Sequence, residues 1–133
     1  MVTDRRTKKD FAMYIKHLVN DVYPNAKKIR IILDNLNTHT YSAILDTFEF
    51  NEAVELISKI TFYYTPKHAS WLNMAEIEIN VMDKLCTGRR ISNKELLISE
   101  TTAYMNHRNE NKSKICWSFT KEDADEKLSK YYV

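Results

Sequence analysis

Apolar residues recur at helical spacing near the beginning of the chain and then give way to a short aliphatic run. Over residues 7–23 the apolar positions lie three or four apart and stop before Pro24, which predicts a first helix. The run K-K-I-R-I-I-L-D at residues 27–34 is rich in β-branched and aliphatic side chains. It predicts a largely buried strand that ends on Asp34.

A second alternation of helix and strand follows. Residues 41–48 and 51–59 have the pattern of two short helices, the second with Asn51 as its cap. The run I-T-F-Y-Y at residues 60–64 predicts a second strand, which Thr65-Pro66 ends. This order of elements favours an α/β layer with a parallel strand pair, whose carboxyl ends meet at one edge. Asp34 stands at one of those ends.

The rest of the chain has a helical pattern. Residues 71–86 predict a long helix with Leu72, Ala75, Ile79, Met82 and Cys86 on one face, closed by Gly88. Residues 92–95 have a capping-box pattern, which predicts a helix that continues to about residue 107. Residues 120–123 resemble a helix cap and predict a last helix that ends near residue 131. Between these two helices lie Trp117 and Phe119, which we expect to pack back on the core.

Composition limits the architecture to one ordinary domain. The chain has 133 residues, of which 44% are hydrophobic and 29% charged, so we treat residues 1–133 as one unit. The longest apolar run, residues 11–15, is far shorter than the ~20 residues that cross a bilayer, and no apolar signal segment follows Met1. We therefore expect a cytoplasmic protein without a membrane partner. Cys86 and Cys116, thirty residues apart, favour free core thiols over a disulfide or metal site.

Charge is unevenly distributed along the chain. Residues 1–30 carry eight Lys/Arg and three acids, whereas residues 31–133 carry twelve and fifteen. A basic end of this size could attract a polyanion such as nucleic acid. Charge alone favours a solvated helix face over a site for a polyanion.

Two segments contain side chains that could carry chemistry. Asp34 could hold a hard cation such as Mg²⁺ through oxygen, or it could cap the amides of the turn that it opens. On the long helix, Glu76 and Glu78 lie about 90° and about 70° from the centre of the apolar stripe, on opposite flanks. Either could reach the rim of the core, or be an ordinary exposed glutamate. In the loop before that helix, Lys67 and His68 could contact phosphate.

Two stretches resemble a known enzyme family. The stretch D-N-L-N-T-H at residues 34–39, followed by Y-T-P-K-H-A-S-W-L-N-M-A-E-I-E at residues 64–78, resembles the catalytic core of DDE transposases of the mariner-related bacterial insertion-sequence-630 family. The end of the chain, residues 117–132, is also similar to that family's carboxyl end. The resemblance extends from about residue 2 onward.

The resemblance implies a ribonuclease-H-like fold in which three acids hold two divalent cations, Mg²⁺ or Mn²⁺. The family's second acid corresponds to Asp34, and its third, in a Leu-Asn-x-x-Glu pattern, to Glu76 rather than Glu78. These two residues are the implied catalytic and metal-binding residues. For positioning DNA phosphate, His39, Lys67 and His68 are the nearby candidates. The implied partners are the DNA of transposon ends and target.

The family's first acid has no counterpart in this sequence. Asp4 and Asp10 precede or enter a helix and follow no predicted strand. We therefore expect a partial ribonuclease-H-like fold without its opening strands, the carboxyl-terminal portion of a catalytic domain, inactive alone. The strand at residues 27–34 should then have a bare edge and promote self-association.

Two alternatives remain open. One is a non-catalytic interaction module that pairs with an intact transposase or with a complementary amino-terminal half. The other is an unrelated small α/β protein with a basic first helix, which requires both motif segments to be coincidental.

Overall fold

The computed structural model describes residues 2–66 and 73–131. The described residues form six α-helices and two β-strands. In chain order they are α1 Lys8–His17, β1 Ile29–Leu33, α2 Tyr41–Leu45, α3 Phe50–Lys59, β2 Ile60–Tyr64, α4 Met74–Met82, α5 Lys94–Glu110 and α6 Lys121–Leu128. Two π-helical turns, Leu18–Val22 and Asp83–Thr87, extend α1 and α4, and a 3₁₀ turn, Ser129–Tyr131, follows α6.

The two strands pair in parallel. Their register runs from Ile29 opposite Ile60 to Leu33 opposite Tyr64. The predicted parallel pair is thus confirmed, with the first strand shorter than residues 27–34 and the second at residues 60–64 as predicted. Asp34 directly follows β1, so the strand end lies where the sequence pattern put it.

The first helix begins with a capping box. The Thr7 hydroxyl accepts the Asp10 amide at 3.2 Å, while Asp10 Oδ2 accepts the Thr7 amide at 2.8 Å. These bonds satisfy donors that a helix start leaves unpaired. The π-helical turn carries the helix to Val22, so the predicted helix over residues 7–23 is confirmed.

The core lies on one face of the sheet. Side chains of α1, α2 and α3 cover the face that alternate strand residues present. The buried cluster comprises Ala12, Ile15, Val19, Leu33, Ile44, Ala53, Leu56, Ile60 and Phe62. On the opposite face, Ile32 is 64% exposed and Tyr63 is 51% exposed. The sheet is therefore covered by helices on one side.

The start of α3 differs from the prediction. Its N-cap is Glu49, whose carbonyl accepts the Ala53 amide at 2.9 Å, and Asn51 is the second residue of the helix. This placement directs Ala53 and Leu56 into the core. The preceding helix, α2, ends at Leu45, before the predicted residue 48.

The helix α4 begins at Met74, with Asn73 Oδ1 accepting the Ala75 amide at 3.2 Å. Its predicted start at Trp71 lies outside the described residues. Ile79 is 52% exposed, because the apolar face of α4 borders an open groove beside α5 rather than a closed core. The π-helical turn after α4 ends at Gly88, where an added Cβ would lie 2.5 Å from the Asp83 carbonyl oxygen.

The last two helices are confirmed in position. Asn93, rather than Ser92, caps α5 by accepting the Leu96 amide at 2.8 Å. Thr120 and Asp123 form the predicted capping box of α6. The expectation that the two aromatic residues between them join the core is wrong. The ring centroids of Trp117 and Phe119 lie 6.1 Å apart in an edge-to-face contact, Trp117 is 36% exposed, and neither residue belongs to the buried cluster of the described chain.

Both cysteines are free thiols, as predicted, but only one is in the interior. Cys86 is buried and Cys116 is exposed. Across residues 2–66 and 73–131, no helix is long and apolar enough to span a membrane. The cytoplasmic location and the single-domain organisation stay predictions.

Candidate active site at the strand ends

Asp34 lies at the carboxyl end of β1 and pairs with a histidine from the following turn. Its Oδ1 accepts a hydrogen bond from His39 Nδ1 at 2.6 Å. The two side chains are half-buried, 31% exposed for Asp34 and 24% for His39. The contact orients the carboxylate and leaves Oδ2 without a hydrogen bond from any described residue. The structure thus brings together two of the residues that the sequence singled out.

Aromatic residues hold His39 in place. The Phe11 ring lies 4.7 Å from the imidazole, and the Tyr64 hydroxyl donates to the His39 carbonyl at 2.7 Å. Burial raises the pKa of the Tyr64 hydroxyl, so this donor keeps its proton at neutral pH. The imidazole is therefore a fixed support for Asp34.

A second set of contacts ties the two strand ends together. The Thr65 amide donates to the Leu33 carbonyl at 2.8 Å, and Asn35 Nδ2 donates to the Thr65 carbonyl at 2.5 Å. The sequence pattern by itself indicates no role for Asn35 or Tyr64. The signal was present, since both stand at the predicted ends of neighbouring parallel strands.

Two buried threonine hydroxyls near Asp34 lack partners. The Oγ1 atoms of Thr38 and Thr65 are inaccessible to solvent and make no hydrogen bond within the described part of the chain. Thr65 is only 7% exposed and directly follows the strand pair, as Asp34 does. Leaving a buried hydroxyl unpaired costs roughly 1–3 kcal/mol.

The two glutamates of α4 differ in what they contact. Glu78 accepts hydrogen bonds from Arg108 Nε at 2.9 Å, Arg108 Nη2 at 2.6 Å and the Tyr104 hydroxyl at 2.8 Å. These bonds, the guanidinium first, hold the pKa of the Glu78 carboxyl below its ordinary value. Burial, with Glu78 beside it, raises the pKa of Tyr104. Glu78 therefore fastens α4 to α5.

Glu76 has no such partner. At 100° per residue, Glu76 points about 160° away from Glu78 around α4, and so away from α5. It is half-buried in the first turn of the helix, and its carboxylate makes no ion pair with another described residue. Of the two glutamates, Glu76 is thus the one left open to a ligand.

Other predicted site residues are placed differently or lie outside the described chain. Lys67 and His68 belong to residues 67–72, outside the described residues. The convergence of Asp34 and Glu76 on shared cations stays a prediction. Asp10 caps α1, where bonds from Thr7 lower the pKa of its carboxyl, and Asp4 pairs with Lys94 at 2.7 Å.

The donor chemistry at this edge fits a divalent cation. Asp34 Oδ2 is a hard oxygen ligand of the kind that Mg²⁺ and Mn²⁺ prefer, and the Glu76 carboxylate in the first turn of α4 has the same chemistry. The number of ligands is small: among the described residues, no three His, Cys, Asp or Glu side chains form a group that could hold a metal ion.

Comparison with known protein families gives one match. Residues 1–98 match the family described as DDE superfamily endonuclease, a range that includes both strands, Asp34 and Glu76. Searches of curated proteins and of solved structures found no match. Because the family match covers most of the sequence, the chain belongs to the DDE superfamily of endonucleases.

Proposed function

We propose that the chain is the carboxyl-terminal part of the catalytic domain of a DDE transposase of the mariner-related insertion-sequence-630 type, with a ribonuclease-H-like fold and DNA as its substrate. The observation that carries this proposal is the Asp34 carboxylate. It ends a parallel strand, is oriented by His39 at 2.6 Å, and keeps one oxygen free. Family membership supports the nuclease chemistry.

The proposed roles follow from the contacts. Asp34 and Glu76 hold the divalent cation, and His39 keeps Asp34 turned toward it. The chemistry that bound Mg²⁺ or Mn²⁺ supplies is activation of the attacking water or hydroxyl and stabilisation of the leaving oxygen in a phosphodiester displacement. His39 also lies where it can meet DNA phosphate, and Lys67 and His68 keep the same proposed role.

We further propose that the 133 residues do not cleave DNA by themselves. Two acids hold two cations poorly, and among the described residues no three His, Cys, Asp or Glu side chains form a group that could hold a metal ion. A plasmid-nicking assay with Mn²⁺ tests this point. Turnover that disappears in Asp34→Ala would show that Asp34 is catalytic and that the isolated chain is active.

Mn²⁺ binding tests the site independently of turnover. We expect Asp34→Asn and Glu76→Gln each to weaken Mn²⁺ binding by about tenfold or more, measured by calorimetry, because each removes a charged oxygen ligand. The matched control is Asp125→Asn, an exposed acid on α6. Equal Mn²⁺ affinity in the wild type and both site variants would overturn the metal assignment.

A second candidate function rests on the open edge of β1. The Leu33 carbonyl accepts the Thr65 amide, so Leu33 and, two residues before it, Ile31 turn their backbone groups toward β2. The backbone groups of Arg30 and Ile32 therefore point the other way, where no described strand lies. An unpaired edge of this kind accepts a strand from another polypeptide.

In this alternative the chain is an interaction module. Its partner is a complementary amino-terminal transposase half, an intact transposase or a second copy. Co-expression with an amino-terminal half that supplies a strand ending in Asp separates the two functions. Restored DNA cleavage supports a split enzyme, whereas inhibition of an intact transposase supports a regulator.

A further inference from the structure

A cleft lies between His39 and the amino-terminal segment of the chain. It has a volume of about 200 Å³. Its walls are formed by Thr3, Arg5, Arg6, Thr7, Asp10, Phe11, Tyr14, Thr38 and His39. Because the imidazole of His39 also contacts Asp34 at 2.6 Å, one side chain borders both the cleft and the candidate metal ligand.

The charge of the cleft favours an anion. Arg5 and Arg6 are exposed, and neither guanidinium pairs with a carboxylate of the described chain. The acid in the wall, Asp10, is occupied by Thr7, whose hydroxyl and amide donate to its Oδ2 at 2.6 and 2.8 Å. The cleft wall thus contains two arginines and one acid, and that acid is already hydrogen-bonded. The guanidinium N–H groups of both arginines can therefore donate to a bound anion.

Polar groups in the wall suit phosphate oxygens. Guanidinium groups pair with phosphate oxygens through two parallel hydrogen bonds. Arginines on consecutive residues of an open, exposed segment fit a chain of phosphates better than one small anion.

We propose that this cleft is a phosphodiester subsite that holds the DNA backbone beside Asp34, with Arg5 and Arg6 as the phosphate ligands and His39 as the wall between phosphate and carboxylate. This inference deepens the proposed function and rests on it. It accounts for the basic amino-terminal segment, which the cation site leaves without a role.

DNA binding without metal tests the subsite. Fluorescence anisotropy with a labelled 30-base-pair duplex in EDTA compares the wild-type chain with Arg5→Gln/Arg6→Gln. We expect affinity to fall at least tenfold, and the slope of log affinity against log salt to decrease by about 2, because two phosphate contacts are lost. Arg5→Lys/Arg6→Lys should recover most of the slope and part of the affinity.

The matched control is Arg90→Gln/Lys114→Gln, which removes the same charge from exposed positions outside the cleft. If the control loses as much affinity as the arginine pair, binding depends on net charge and the subsite is overturned. Failure of the wild type to bind the duplex at low salt also overturns it. Circular dichroism confirms that the variants are folded.

Mn²⁺ titration of the same variants keeps the two hypotheses apart. The arginine double variant should bind Mn²⁺ as the wild type does, since neither arginine contacts Asp34. If the arginine double variant binds the duplex as tightly as the wild type does, and both bind Mn²⁺, the subsite alone is refuted. If the double variant loses DNA affinity as expected but the wild type does not bind Mn²⁺, the metal assignment alone is refuted.

Discussion

The Asp34 carboxylate depends on two different parts of the chain. The end of β1 sets the position of its backbone, and His39, five residues later, sets the direction of its side chain through a 2.6 Å hydrogen bond. A carboxylate fixed in this way loses little conformational entropy when it takes up a ligand. The environment of His39 should therefore influence cation affinity although the histidine is not itself the proposed ligand.

This dependence predicts the effect of replacing His39. His39→Phe keeps an aromatic ring against Phe11 but removes the hydrogen bond to Asp34, so we expect Mn²⁺ affinity to fall about 10- to 100-fold. His39→Gln, which retains a donor, should lose less. Calorimetric Mn²⁺ titrations measure both. Equal Mn²⁺ affinities of His39→Phe and the wild type would show that the hydrogen bond from His39 to Asp34 does not contribute to cation binding.

The Glu78–Arg108 contact predicts a pH dependence of stability. The pKa of Glu78 is lowered in the folded chain, so the fold favours the ionised carboxylate. Its stabilising contribution is present above the ordinary value of 4.5 and is lost as pH falls through the lower folded-state value. Thermal melts should show that Glu78→Gln lowers Tm at about pH 7 more than at about pH 3. The control variant is Glu76→Gln, which replaces the α4 carboxylate that makes no ion pair with a described residue.

Among the helices, local capping signals and core burial act together in α1. Its capping box fixes the first turn, and Ala12, Ile15 and Val19 are at most 1% exposed. In contrast, α6 has an equivalent capping box but buries only Leu128. A helix cap should contribute to the free energy of unfolding of the whole chain only where its helix is part of the core that unfolds cooperatively.

The two capping boxes therefore give a matched comparison. Thr7→Ala should lower the free energy of unfolding by about 1 kcal/mol, because the Asp10 amide loses its acceptor in a helix that the core requires. Thr120→Ala removes the same bond from α6 and should change the main unfolding transition less. Urea denaturation followed by circular dichroism measures both. Equal losses would mean that α6 folds as part of the same unit as α1.

The whole molecule leaves much surface uncovered. Its accessible surface is 10154 Å², compared with roughly 7,300 Å² for a typical folded monomer of 15.8 kDa. The excess agrees with the exposed outer face of the sheet at Ile32 and Tyr63 and with the open edge of β1. A molecule of this kind should associate with itself or with another chain.

Light scattering after gel filtration tests this expectation. The wild-type chain should be oligomeric or aggregated, and Ile32→Pro should reduce association, because it removes an amide that points to the open edge while leaving the β2 side intact. Ile32→Ala removes the same side chain but keeps the amide. Equal behaviour of the two variants would assign association to the apolar face instead. A monodisperse wild-type monomer with one cooperative melt would contradict the prediction.

Sequence alone was sufficient for features that depend on neighbouring residues. Both strands, the capping box of α6 and the position of Asp34 at a strand end follow from local patterns of apolar and polar residues. The parallel pairing follows from the order of elements. The likeness to DDE transposases agrees with the match of residues 1–98 to the DDE superfamily endonuclease family, a range that contains both motif segments.

Tertiary structure decided the features that depend on contacts between distant residues. Only packing shows that Glu78 is bound by Arg108, thirty positions away, whereas Glu76 has no ion-pair partner among the described residues. Only packing brings Arg5 and Arg6 to the cleft beside His39, and shows that Trp117 lies outside the core. A local pattern determines which way a side chain points on its own helix or strand, but the partner that it meets depends on how those elements pack together.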